Sequence, residues 1–280
     1  MEWWQSLILG LVEGLTEYLP VSSTGHLLLT QRLLGISASD AADAYAICIQ
    51  VGAILAVLGL YYKRVLQMAR GALGQDPAGW KLGWNILLAF LPAAVIGFLL
   101  EKLIKKYLFG GDTWGLWPVV AAWFVGGVAI LAVAWMRRSS NGPAKPGLAL
   151  EQLTIPMAVA IGLGQCLAMW PGVSRSLVTI VGGVLAGLSL PAAVEFSFLL
   201  GVLTLSAATA YDFLKHGHDM LAQFGTGTLV TGLAAAWISA VLAVKWMVGY
   251  LNRHGMGLFG YYRIGIAAVV AILLLGGFLK

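Results

Sequence analysis

Charge is scarce in this sequence. Asp, Glu, Lys and Arg together make 10% of its 280 residues, where a soluble domain carries about 25%, and 60% are hydrophobic. With mean hydropathy at +0.87, that scarcity excludes a soluble enzyme, a nucleic-acid-binding module and a disordered chain, and leaves an integral membrane protein. Cysteine is almost missing: Cys48 and Cys166 both fall inside apolar segments, so no disulfide framework is implied. No Cys/His spacing suits zinc, and no glycine-rich loop fits a Walker A pattern. Sustained apolar/polar alternation is also missing, which disfavours a transmembrane β-barrel. The start, Met1-Glu2-Trp3-Trp4, lacks the basic stretch of a signal peptide, so the first apolar segment is expected to stay in the mature protein. Glycine, by contrast, is plentiful: 36 residues, which suits helices packed closely in lipid or broken within it. The net charge of +5 comes from 17 Lys and Arg that mostly sit in short clusters between apolar runs, which marks loops beside a membrane and no nucleic-acid partner.

Apolar runs long enough to cross about 30 Å of hydrocarbon as helices lie near 45–62, 84–100, 114–136, 195–213, 226–248 and 263–279. Two further apolar stretches, 3–34 and 153–190, are each interrupted by a polar knot containing proline. The first knot runs Leu19-Pro20-Val21-Ser22-Ser23-Thr24-Gly25-His26 and the second Trp170-Pro171-Gly172-Val173-Ser174-Arg175-Ser176. Unwound backbone is tolerated at membrane depth only where protein buries it or a wet cavity meets it, so both stretches are expected to be re-entrant helix hairpins.

The two stretches resemble one another. A shift of 151 to 152 residues lays Pro20 on Pro171, Ser23 on Ser174, Gly35-Ile36-Ser37 on Gly187-Leu188-Ser189 and Asp43 on Glu195. Three full spans separate the copies, an odd number, so the copies enter from opposite faces. The expected fold is therefore one all-α polytopic membrane domain over 1–280, with six full spans and two re-entrant hairpins. Its halves, approximately 1–136 and 150–280, form an inverted-topology repeat. If the 63–81 loop is cytoplasmic, ten Lys and Arg, Arg263 among them, fall on that side against six on the other, which places both termini outside. Glycine faces such as Gly182-Gly183 and Gly187 suit packing within the chain or in a homodimer.

The candidate chemistry sits in the knots. Glu13 and Glu17 are spaced i, i+4 and share a helix face, a costly pair inside a membrane unless a cation, a partner or water offsets the charge. The competing reading puts them close enough to the surface to be solvated. Ser22, Ser23 and Thr24 stand where a new helix starts, and its free N–H groups with these hydroxyls make an anion site, although ordinary capping needs the same residues. His26 follows within one turn, near enough to the glutamates to exchange protons. In the second knot, Ser174, Arg175 and Ser176, with Thr179 one turn on, offer hydroxyls and a planar guanidinium fork suited to phosphate; a plain counter-ion role for Arg175 competes. His216 and His218 flank a glycine and read as solvated residues, not metal ligands. A pyrophosphate entering a site with two carboxylates and one arginine leaves a negative excess, so a divalent cation, Mg2+ or Ca2+, is expected on Glu13 and Glu17.

These residues resemble the bacterial undecaprenyl-diphosphate phosphatase (bacitracin-resistance protein) family. The resemblance rests on the string Val12-Glu13-Gly14-Leu15-Thr16-Glu17-Tyr18-Leu19-Pro20-Val21-Ser22-Ser23-Thr24-Gly25-His26, with Pro171-Gly172-Val173-Ser174-Arg175-Ser176 in the second half. Gln50 to Leu55, Glu195 to Leu200 and Tyr261-Tyr262-Arg263 match similar runs. It implies an inner-membrane enzyme that works at the periplasmic side. Such an enzyme, dependent on a divalent cation, removes the terminal phosphate from the C55 isoprenyl diphosphate to recycle the carrier lipid for peptidoglycan. By position, Glu13, Glu17, Ser23 and His26 would be catalytic, with Ser174, Arg175 and Thr179 on the diphosphate. Two departures stand out: Leu177 replaces the family's glycine and is expected to face lipid or the isoprenoid tail, and Gly201-Val202-Leu203 replaces Ala-Val-Pro. The alternative activity is a polyprenyl-phosphate lipid transporter, since broken helices at the midplane also serve alternating access.

Overall fold

The computed structural model describes residues 1–37, 39–104, 115–138 and 147–279, all in helices and short connections apart from one isolated bridge between Leu148 and Leu188. Six helices are long and apolar enough to cross a membrane: α3 (Asp40–Leu60), α5 (Pro77–Ile104), α6 (Trp117–Arg138), α9 (Leu190–Phe224), α10 (Thr226–His254) and α11 (Gly257–Leu275). They cover the six apolar runs and make the chain a multi-pass membrane protein. Four shorter helices carry the broken stretches: α1 (Trp3–Thr16), α2 (Ser23–Leu33), α7 (Ile155–Gln165) and α8 (Arg175–Leu185). At about 1.5 Å per residue none of the four reaches across about 30 Å of hydrocarbon alone.

Packing follows the small residues. Helix α1 lies chiefly against α10, and α3 against α9 and α10. A Cβ at Gly10 would fall 2.3 Å from the Gly232 carbonyl oxygen, and one at Gly14 2.1 Å from that of Ala236, so only glycine lets α1 and α10 approach this closely. Gly183 likewise packs within the chain, where a Cβ would meet Ala193 at 2.9 Å.

Three sequence expectations need correction. The segment after α3 is not a loop: α4 (Tyr62–Ala72) is a helix that sets Met68 against the core, turns Arg64, one turn earlier on the same face, onto Glu195 of α9, and leaves Lys63 and Arg70 exposed. Leu177 does not face lipid or a tail. It is buried at 4% exposure among Tyr18, Ile180 and Phe198, because its N–H caps onto Ser174 and turns its side chain inward. Arg263 is not a loop charge either. Helix α11 begins at Gly257, not at 263, and so carries the guanidinium into the protein, where it is fully buried; the basic tally becomes nine against six. Within that tally, Lys105, Lys106, Lys145 and Lys280 lie outside the described residues.

Candidate active site

Both knots are built the same way. Helix α1 ends at Thr16, residues 17–21 turn, and Ser22 takes φ 74° before α2 starts. Helix α7 ends at Gln165, a 3-10 turn spans Cys166–Met169, and Ser174 takes φ 78° before α8 starts. These two serines are the only non-glycine residues with positive φ among the described residues. Such a conformation costs about 1–3 kcal/mol and persists only where the surroundings impose it. Each serine caps its helix by accepting from the N–H three residues on, Gly25 at 3.3 Å and Leu177 at 3.2 Å. The structural register between knots is thus Ser22 with Ser174 and Ser23 with Arg175, one residue from the sequence match of Ser23 with Ser174. Proline spacing misled that match, because Pro20 and Pro171 precede turns of unequal length.

The register brings the first residue of each short helix onto one carboxylate. The Ser23 hydroxyl donates to Glu17 Oε2, and Arg175 Nη2 donates to Glu17 Oε1 at 3.0 Å. Arg175 also gives Nη1 to the Ser197 carbonyl at 2.9 Å and lies over the Tyr18 ring, 5.2 Å from its centroid. Gly201 makes room for it: a Cβ there would fall 2.2 Å from Nη1. Glu17 and Arg175 are both buried, so the pair is screened little by water.

Glu13, one turn earlier, is fully buried, and neither carboxylate oxygen has a hydrogen-bond partner. An orphaned buried carboxylate calls for a proton or a cation, so Glu13 fits the expected metal; Glu17, whose two oxygens accept from Ser23 and Arg175, would join it through their remaining lone pairs. Among the described residues no cluster of three His, Cys, Asp or Glu could hold a metal, so substrate oxygens would have to complete any coordination shell.

His26 sits apart from this pair. Its Nδ1 lies 2.6 Å from the Ser22 carbonyl, which can only accept, so Nδ1 carries the proton. Nε2 then accepts from the Tyr262 hydroxyl at 2.7 Å, with the two rings stacked. Neither Glu17 nor Ser23 reaches the imidazole by a hydrogen bond. Ser176 and Thr179 are both fully buried; Ser176 donates to the Leu19 carbonyl at 2.8 Å, and Thr179 meets Ser197 Oγ at 2.6 Å. Those bonds tie the second knot to the first knot and to α9.

A cavity of about 650 Å3 opens over the knots. Glu17, Ser22, Ser23, Thr24, Ser174 and Arg175 line its floor; Phe90, Ala94 and Phe98 of α5, with Met169 and Trp170, give it an apolar wall. His216 lines it too, with Nε2 enclosed and unpartnered, because Gly217 lies inside α9 and not in a loop. His218 is exposed beside Asp219.

Two residues of the run Tyr261-Tyr262-Arg263, to which the sequence gives no site role, belong to the site. Arg263 donates to four carbonyls: Ala122 and Gly172 at 2.8 Å each, Pro20 and Trp123 at 3.3 Å each. Pro20 belongs to the first knot and Gly172 to the second, so one guanidinium clamps both. Tyr262, its neighbour, holds His26. The signal for both was an arginine followed only by apolar residues to the end of a span, since an ionisable group at membrane depth is rarely idle.

A model of the family described as bacitracin resistance protein BacA matches residues 6–269. An undecaprenyl-diphosphatase of Sorangium cellulosum is 46% identical, covering 96% of this chain and 86% of its own. An undecaprenyl-diphosphatase 2 of Rhodospirillum rubrum is 42% identical (95% and 93%), and an undecaprenyl-diphosphatase of Aquifex aeolicus 41% identical (96% and 97%).

Proposed function

This chain belongs to the bacitracin resistance protein BacA family, and from that premise we infer that it hydrolyses undecaprenyl diphosphate to undecaprenyl phosphate and inorganic phosphate. It is a membrane phosphatase acting on an isoprenyl diphosphate lipid. The observation that carries this reading is the convergence of Ser23 and Arg175 on Glu17, at the floor of a cavity whose wall is apolar. A hydroxyl, a base and a cationic fork are what phosphoryl transfer requires, and an apolar wall beside them suits the isoprenoid chain.

In the proposed mechanism, the terminal phosphate docks on the N-termini of α2 and α8, with Arg175 neutralising its oxygens. Ser23 Oγ attacks the terminal phosphorus as its proton passes to Glu17. The bond to the bridging oxygen breaks, and the lipid monophosphate leaves. Water then hydrolyses the phosphoserine, which releases inorganic phosphate and restores the hydroxyl. Glu13 and Glu17 are the residues that would hold a divalent cation, Mg2+ or Ca2+. When bound, such an ion offsets phosphate charge and polarises the phosphoryl oxygens. His26 steadies the Ser22 carbonyl, and with it the strained serine, as a positioning residue.

The same reading places the two broken stretches as re-entrant hairpins in inverted halves. The recurrence of one backbone turn at Ser22 and Ser174 supports it. It also opens the cavity to the periplasmic side of the inner membrane. The cavity reaches Asp40 at the start of α3, the end opposite the basic helix α4, and basic residues favour the cytoplasm.

Phosphate release from C55 diphosphate by the detergent-purified protein tests the proposal, with Mg2+, with Ca2+ and with chelator. Metal-dependent release is expected, with losses of about 10²–10⁴-fold in Glu17→Ala and Arg175→Ala. No release by folded wild type under any metal overturns the phosphatase and leaves lipid transport as the activity. Ser23→Ala retaining most of the turnover overturns the covalent route in favour of direct attack by water.

A further inference from the structure

Gln165 ends α7 and lines the cavity, yet it is only 2% exposed and its amide nitrogen has no hydrogen-bond partner. Its one bond is weak: Oε1 faces Thr204 Oγ1 at 3.4 Å, and that hydroxyl has a better acceptor in the Leu200 carbonyl at 3.0 Å. A buried donor left unsatisfied costs about 1–3 kcal/mol, so an amide kept in this state is waiting for an acceptor that the protein does not supply.

Helix α9 fixes where that acceptor must be. The Arg175 guanidinium lies against Gly201, and Thr204 stands three residues further along α9, a rise of about 4.5 Å. Arg175 and Gln165 therefore meet α9 about one helical turn apart. A diphosphate, longer than a single phosphate by one P–O–P link, suits donors set apart in this way. Apolar lining is at hand: Ala168 and Met169 of the adjoining turn line the cavity together with Phe90. The sequence register agrees: Gln165 stands nine residues before Ser174 as Glu13 stands nine before Ser22, and both carry buried polar atoms without partners.

We propose that Gln165 is a substrate-binding residue whose side-chain N–H donates to the lipid-proximal phosphate, the one that stays on the product. This rests on the phosphatase reading above. Its last torsion is soft, so the amide turns its N–H to an anion without moving α7. Thr204 is the positioning residue that keeps the carboxamide in reach.

The test is steady-state phosphate release by the full-length protein in detergent, with C55 monophosphate and inorganic phosphate as product inhibitors and thermal unfolding as the check on folding. Gln165→Leu is expected to raise KM for C55 diphosphate about 10- to 100-fold with kcat within about threefold, as for a lost hydrogen bond to a charged group. Inhibition by C55 monophosphate weakens by the same factor, and inhibition by inorganic phosphate is unchanged. Gln165→Glu, which sets a like charge there, raises KM further. A folded Gln165→Leu with KM and monophosphate inhibition within twofold of wild type overturns the proposal, as does weakening of inorganic phosphate inhibition alone. Should the Gln165 variants not fold, Thr204→Val decides: a KM rise of about 2- to 10-fold at constant kcat supports the assignment, and an unchanged KM overturns it. A wild type that releases no phosphate defeats the phosphatase reading itself, an outcome separate from these.

Discussion

The two knots share a backbone and differ in the residue that follows the strained serine. After Ser22 comes Ser23, a hydroxyl; after Ser174 comes Arg175, a cation. Both are first residues of their helices, and both donate to Glu17. A fold that builds the same turn twice need only vary one position in each copy to bring a hydroxyl and a guanidinium to one carboxylate. Other polar residues of the knots have partners of their own. Ser176 and Thr179 in the second copy are spent on the Leu19 carbonyl and on Ser197, and His26 in the first is spent on Ser22 and Tyr262.

If the knots are one device clamped together, the largest effect should come from the group that touches both. Arg263 satisfies carbonyls at Pro20 and Gly172, and Gly126 leaves space for its guanidinium, with a Cβ there only 2.3 Å from Nη2. Arg263→Met strands several buried acceptors and is expected to cost about 3–5 kcal/mol of stability, with activity lost alongside. Arg263→Lys keeps the charge but not the fork and should recover only part of it. Thermal unfolding in detergent, read with phosphate release, checks both. Equal stability in wild type and Arg263→Met would mean that the knots hold themselves.

A smaller effect tests the likeness of the strained serines. Ser22→Ala and Ser174→Ala each remove one capping acceptor while keeping a side chain at positive φ, so each should destabilise by about 1 kcal/mol, and by similar amounts. The activities should then diverge according to what each serine's neighbour does: the first change disturbs the helix that Ser23 starts, the second the helix that Arg175 starts. Unfolding midpoints that differ widely would break the equivalence of the two turns.

Much of this was legible without coordinates. Uninterrupted apolar runs of span length give six helices because a backbone in lipid has no other way to satisfy its polar groups, and the knots stand out because proline and hydroxyls interrupt such runs. That the two knots meet follows from reading them as halves of an inverted repeat, and a pairing of Arg175 with a glutamate is the competing reading of that arginine. Arg263 was not, because a span drawn from 263 put it at a boundary, where an arginine looks like an anchor; the helix in fact starts at Gly257. Gln165 carries no charge and left no mark on hydropathy. Leu177 is expected against lipid or the isoprenoid tail because the sequence does not say which way a helix start turns, and the Ser174 cap decides that.

The comparison extends one element beyond the knots, where the expected effects are smallest. Asp43 on α3 and Glu195 on α9 occupy matching places after their short helices; Asp43 lines the cavity, which Glu195 does not, and Glu195 accepts from Arg64 Nε at 2.6 Å. Arg64 reaches Glu151 as well, at 2.8 Å, so the second copy has turned its acid into part of a partly exposed ion network that joins α4, α9 and the chain before α7. Such pairs contribute at most about 1 kcal/mol, so Glu195→Gln should leave kcat unchanged and shift stability by no more than that. Glu151 is held below the usual carboxylate range by its own backbone N–H and by Arg64. Its share of the network is therefore complete at neutral pH and fades only as the pH falls below about 4, the ordinary carboxylate value. Asp43→Asn, by contrast, withdraws a like charge from the path of an anion and should lower KM about twofold, an effect that added salt diminishes. A Glu195 variant that changes kcat, or an Asp43 variant indifferent to salt, would show that the division between a chemical copy and a structural one does not reach past the knots.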